Sequence, residues 1–118
     1  REQTLQKLSE CHILLHPSLH ESGGFVCLEA MAAGRPVICL ALGGPAFQVS
    51  TAAGILVAAK DPEQSVSGLA QAMLTLSSDP ELRESMGRAG RKHVQEKHAW
   101  EANGAQLYAL YSTCLSSD

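Results

Sequence analysis

The sequence predicts an α/β fold in which a parallel sheet carries helices on both faces. Three observations lead there. Short apolar runs at residues 12–16, 37–42 and 54–58 alternate with helix-forming segments. Proline or glycine, the residues that interrupt regular structure, borders each run. Everything after Asp61 reads as helix, so the order is β-loop-α-β-α-β followed by helices. Right-handed crossovers then make three adjacent parallel strands the expected arrangement. Three strands are only half of a doubly wound sheet, which usually has five or six. The chain therefore reads as a single partial domain, residues 1–118, the C-terminal half of such a fold.

Each element has its own reason. The chain starts at Arg1 without a methionine, inside R-E-Q-T-L-Q-K-L, which reads as a helix and suggests an excised piece. His12 to His16, H-I-L-L-H, is a short apolar run closed by Pro17 and predicts a buried strand. The polar loop S-L-H-E-S-G-G leads into F-V-C-L-E-A-M-A-A, a run of good helix formers that Gly34 ends. Pro36 introduces V-I-C-L-A-L, bounded by Gly43-Gly44; residues 45–52 predict a short helix and G-I-L-V-A-A the third strand. Asp61-Pro62 and Asp79-Pro80 each place a capping acid before a proline at the first helical position. Val66, Leu69, Ala70, Met73 and Leu76 make one apolar stripe at helical spacing, and Leu82, Met86, Ala89 and His93 a second. Trp100, Gly104, Leu107, Tyr111 and Cys114 make a third, and all three are expected to be packing surfaces.

Composition narrows the function. With a formal net charge of −3, the chain lacks the basic surface that a nucleic-acid partner would require. No apolar run approaches a membrane span, and the start is not a signal peptide. Four cysteines without a C-x-x-C pair argue against a disulfide framework or a zinc site and favour a reducing cytoplasm. His16 and His20 stand four apart, but Pro17 between them prevents the helical turn that would converge two imidazoles on a metal. Arg88, Arg91, Lys92 and Lys97 could touch anionic lipid; interleaved with Glu81, Glu84 and Glu96, they read better as a solvated helix face.

The chemistry concentrates in H-E-S-G-G-F-V-C-L-E-A-M, residues 20–31. Ligands of open parallel sheets bind beyond the carboxyl ends of the strands, where this loop enters a helix. Gly23 and Gly24 let backbone N–H groups approach a ligand. The helix start adds about half a positive charge, which suits phosphate. Glu21 and Glu29 flank that point. A carboxylate only accepts hydrogen bonds and repels phosphate, so each suits a hydroxyl. A ligand with central phosphates and hydroxyl-bearing sugars at both ends, a nucleotide sugar, meets the demand. Each glutamate also has a plain structural reading: Glu29 as an exposed helix residue, Glu21 as an acid favouring the helix start.

E-S-G-G-F-V-C-L-E resembles the E-x7-E motif of retaining glycosyltransferases of the GT-B fold, those similar to glycosyltransferase family 4. The following A-M-A-A-G-R-P-V-I-C, the block G-I-L-V-A-A-K-D-P-E and the late H-A-W-E extend the resemblance over nearly all of the chain. It implies a Rossmann-like donor-binding half and transfer of a sugar from a nucleoside-diphosphate donor to a hydroxyl acceptor. Glu29 would accept from the ribose hydroxyls, and Glu21, the residue at the reacting sugar, from that sugar's hydroxyls. Ser22, Gly23, Gly24, Phe25 and Val26 would complete the donor loop, with the amides of Gly23, Gly24 and Phe25 facing sugar and diphosphate. Nothing assigns Glu21 as general acid or nucleophile; the help is electrostatic, at the departing diphosphate. The resemblance implies no metal and no cofactor, with the donor itself as ligand. It places the basic diphosphate clamp upstream of Arg1 and the acceptor site in an N-terminal domain, and leaves peripheral membrane association of an intact enzyme open. Two departures stand out. Gly23 occupies a position often aromatic in the family, and P-A-F-Q-V after Gly43-Gly44 lacks a glutamate often found there. A nucleotide-sugar epimerase of the same fold and a non-catalytic nucleotide-sugar-binding module are the alternatives.

Overall fold

The computed structural model describes residues 2–116. Among them nine elements follow one another: α1 (Glu2–Glu10), β1 (Leu14–His16), α2 (Phe25–Ala32), β2 (Val37–Leu40), α3 (Gly43–Gln48), β3 (Gly54–Val57), α4 (Pro62–Ser78), α5 (Pro80–Lys97) and α6 (Trp100–Leu115). The strands form one sheet in the order β1-β2-β3, parallel throughout, with Leu15 opposite Ile38 and Ile38 opposite Ile55. The expected adjacency holds, although the paired stretches are shorter than the apolar runs and β1, expected to be buried, is an edge strand with Leu15 exposed.

Alternation along β2 builds both faces of the core. All four of its residues are buried, as a central parallel strand requires. Val37 and Cys39 join Leu8, Cys27, Ala30, Met31, Val49 and Ala53 on one side. Ile38 and Leu40 join Val57, Ala72 and Leu76 on the other. Helices α1, α2 and α3 thus cover one face and α4 the other. α5 links them, for Leu82 and Met86 pack on the α4 side while Val94 packs on the α2 side. Asp61 and Asp79 cap α4 and α5 by accepting the N–H of Gln64 (2.9 Å) and Leu82 (2.8 Å). Each such cap contributes about 1 kcal/mol.

Three expectations need correction. The helix placed at 45–52 occupies Gly43–Gln48 instead. Pro45 needs no backbone donor and so fits the first turn, which shifts the start to the glycines; the helix ends where Val49 turns extended and enters the core. In α4 the seated residues are Ser65, Leu69, Ala72 and Leu76, whereas Val66 and Met73 face solvent. The sheet comes so close at Gly68 that a Cβ there would meet Val57 Cγ1 at 2.5 Å, which turns the Ser65, Leu69, Ala72 and Leu76 side of the helix inward and leaves Val66 and Met73 outside. The α6 stripe is not a packing surface among the described residues: none of its residues is buried, and Trp100 is 88% exposed. The sheet faces are already covered, and among the described residues α6 packs mainly on α5. Its projection shows in a radius of gyration of 16.2 Å, against about 13.5 Å expected for a compact domain of this length. No helix among the described residues is long and apolar enough to cross a membrane.

Candidate functional site

At the carboxyl edge of the sheet, β1 stops at His16 because Pro17 cannot donate to the ladder. The chain then loops to Gly24, which precedes α2 in the left-handed conformation (φ +62°) and accepts the N–H of Cys27 through its carbonyl (2.9 Å). Within this loop the Glu21 carboxylate turns back on its own backbone. Its Oε1 accepts the N–H groups of Gly23 and Gly24, both at 3.1 Å. These two bonds, that from Gly24 first, hold the Glu21 carboxyl below the usual carboxylate range, and nearby His16 adds to the effect against partial desolvation. The second oxygen, Oε2, lies 3.8 Å from His16 Nε2.

A second glycine pair is the floor of the loop. Gly44 N–H donates to the Glu21 carbonyl (3.0 Å). Gly43 sits at φ +54°, and a Cβ there would lie 2.2 Å from that same carbonyl oxygen. No side chain fits, so Gly43 is fixed by close backbone approach as well as by its dihedral. Gln48, from α3, donates its amide to the Gly23 carbonyl, and its own backbone carbonyl pairs with His93 Nε2 of α5 at 3.0 Å. A chain of contacts therefore runs from α5 through α3 into the glycine loop.

The site residues read from the sequence divide by position. Glu21, Gly23 and Gly24 come together over Gly43-Gly44. Ser22 and Phe25 are exposed at the rim, Phe25 by 71%. Val26 packs its side chain against the core, so only its backbone can serve a ligand. Glu29, half-buried, lies one turn inside α2 on the side away from buried Cys27, Ala30 and Met31. The Gly23 and Gly24 amides, which the family resemblance points at the donor, donate instead to Glu21. Sequence reasoning misses three contributors. Gly43-Gly44 carries a local signal, but one that marks only a strand boundary. His16 stands out in the sequence only as a metal ligand, and Gln48 reaches the loop across 25 residues, beyond any local pattern.

The remaining chemistry is structural. Burial pushes the Cys27 thiol up to about 12 and the Cys39 thiol up to about 11, which leaves both protonated at neutral pH. Among the described residues no three His, Cys, Asp or Glu side chains converge as a metal site would need. A basic groove of about 400 Å³ lies at the opposite, amino edge, between the Gly34–Pro36 turn and α5. Three of its arginines cap helix ends, while Arg88 pairs with Glu84: Arg35 donates to the Leu8 and Ser9 carbonyls, Arg91 to Ala32, and Arg83 to Leu76 and Ser77. Cations there offset the negative end of each helix dipole.

Comparison with known proteins agrees with this fold. The family model for glycosyl transferases group 1 matches residues 1–93. A D-inositol 3-phosphate glycosyltransferase of Kribbella flavida is 39% identical over 102 residues, covering 86% of this chain and 23% of that protein. A GDP-mannose-dependent monoacylated alpha-(1-6)-phosphatidylinositol monomannoside mannosyltransferase of Corynebacterium glutamicum is 40% identical over 87 residues, covering 74% of this chain and 22% of that one. Among solved structures, sucrose-phosphate synthase from Thermosynechococcus elongatus superposes with a TM-score of 0.77 at 34% identity, over 95% of this chain and 27% of its own. WaaG, a glycosyltransferase involved in lipopolysaccharide biosynthesis, shares the fold with a TM-score of 0.75 at 24% identity, over 90% and 28%. The chain spans under a quarter of the length of those two curated relatives. A glycine loop clamped at the carboxyl edge of a parallel sheet, and a family match over most of the residues, lead to one conclusion: the chain belongs to the glycosyl transferases group 1 family.

Proposed function

We propose that residues 20–31 bind a nucleoside-diphosphate sugar, and that the intact enzyme transfers its sugar to a hydroxyl acceptor with retention of anomeric configuration. The observation that carries this is the Glu21 loop. Two amides and a glycine floor fix a carboxylate at the mouth of α2, beyond the carboxyl ends of the strands. That is where open parallel sheets hold phosphorylated ligands. Glu29 accepts hydrogen bonds from ribose hydroxyls and Glu21 from the transferred sugar. The N-terminal end of α2 stabilises the diphosphate as it leaves, because aligned backbone dipoles favour the charge that develops there. Further cationic help and the acceptor site come from residues outside these 118. A nucleoside-diphosphate donor agrees with the GDP-mannose dependence in the name of one relative.

Calorimetry of the full-length enzyme tests the ribose assignment. Glu29→Ala should weaken donor binding by roughly 1.5–3 kcal/mol for each charged hydrogen bond lost. An unchanged donor Kd would remove Glu29 from the ribose. The anomeric configuration of the product, read by NMR, tests retention separately.

A further inference from the structure

Two buried side-chain atoms at this edge, His16 Nε2 and Gln48 Oε1, are left over among the described residues, and of the two His16 lies beside the Glu21 carboxylate. Its Nε2 is buried and makes no hydrogen bond. A buried nitrogen without a partner is costly, so an acceptor within reach carries weight. One is there: Glu21 Oε2, at 3.8 Å, about 1 Å beyond an ordinary N–H···O bond. The side chains differ in exposure, 18% for His16 and 34% for Glu21, which places His16 behind the carboxylate and the carboxylate in front. Because carboxylate oxygens only accept, a proton on Nε2 is the arrangement that suits both groups.

We propose that His16 is a positioning residue for the donor sugar, acting through Glu21; this rests on the donor-site function proposed above. The Gly23 and Gly24 amides hold Oε1 and His16 backs Oε2, so the carboxylate has little freedom to rotate. A carboxylate held at one oxygen and backed at the other presents its outward lone pair in one direction, and one sugar hydroxyl then meets it without reorganisation. His16 is well placed for this because it is the last residue of β1, paired with Cys39 of the central strand, and rides on the sheet. The nucleotide lies outside its reach, since Glu21 addresses only the sugar.

The test uses the full-length enzyme with GDP-mannose and UDP-glucose, each against its free nucleoside diphosphate, in titration calorimetry. His16→Ala should weaken the sugar nucleotide that binds by about tenfold and leave the matching free diphosphate unchanged. His16→Gln, which returns an N–H near the position of Nε2, should recover most of the loss. In a Glu21→Ala background, His16→Ala should add nothing. A merely structural role would instead weaken sugar nucleotide and free diphosphate alike, and would persist without Glu21; either result overturns the proposal. Glu29→Ala separates this from the site itself. If it leaves the binding of both unchanged, or if neither sugar nucleotide binds the unaltered enzyme, the donor-site function falls and His16 with it.

Discussion

One carboxylate oxygen of Glu21 is held by two backbone amides, and that makes the loop's stability depend on pH. The Glu21 pKa is lowered from its ordinary 4.5 by the bonds from Gly24 and Gly23. Its stabilising contribution is therefore fully present above that value and fades as pH falls through the lowered pKa. Thermal midpoints of the unaltered chain and of Glu21→Gln should differ at neutral pH and converge in acid; a gap that stays constant into acid would contradict the amide clamp. At Gly43 the constraint is steric. Alanine there puts a Cβ 2.2 Å from the Glu21 carbonyl at a φ of +54°. Gly43→Ala should cost roughly 1–3 kcal/mol in urea denaturation, and a variant as stable as the parent would mean the loop does not rest on this turn. Iodoacetamide offers a third check. Cys114 is exposed and should label in the native chain, whereas Cys27 and Cys39, buried with raised pKa, should not. At this scale the sequence shows the glycines and both glutamates, because residue type and spacing are local. The roles of Gln48 and His16 are illegible in it, because they come from contacts that only the packed sheet creates.

Elements are legible where composition marks their ends. Pro17, Gly34, Pro36 and the two Asp-Pro pairs sit at boundaries that the structure keeps, because each acts on the backbone whatever packs above it. Facing is less legible. α4 carries apolar side chains on two sides, and only closeness to Val57 decides which side turns inward. α6 offers an apolar, aromatic stripe, but tertiary contact decides whether a stripe is used, and the described residues provide no counterpart. Leucine truncations should separate the two helices. Leu76 is fully buried and Leu107 is 54% exposed. Leu76→Ala should lower stability by roughly 2–5 kcal/mol, the cost of a cavity. Leu107→Ala should change it by no more than about 0.5 kcal/mol. Equal losses in chemical denaturation of this chain would show that α6 is seated in a way the structure does not place it.

At the scale of the whole molecule, the fold is legible because a parallel sheet leaves few topologies once its strands and crossovers are known. The proposed activity would need more chain than these residues. They cover under a quarter of the two curated relatives, and on the proposed function they would supply one loop, one helix end and two glutamates toward a donor. The proposed transfer would also need an acceptor held against the reacting carbon and cations for the departing diphosphate. Bringing two substrates together accounts for a large part of any such rate, and half a site cannot provide it. The sheet adds a second reason. β1 and β3 are its edges, and an unpaired parallel edge invites association with another chain. Residues 1–118 alone should therefore bind nucleoside-diphosphate sugars weakly at most, turn none over, and tend to associate as concentration rises. Purified chain incubated with a panel of such sugars and simple hydroxyl acceptors checks the chemistry, and light scattering checks the association. Steady, acceptor-dependent release of nucleoside diphosphate by these residues alone would show that the site is complete within them, and that the clamp and acceptor surface must be sought on this sheet.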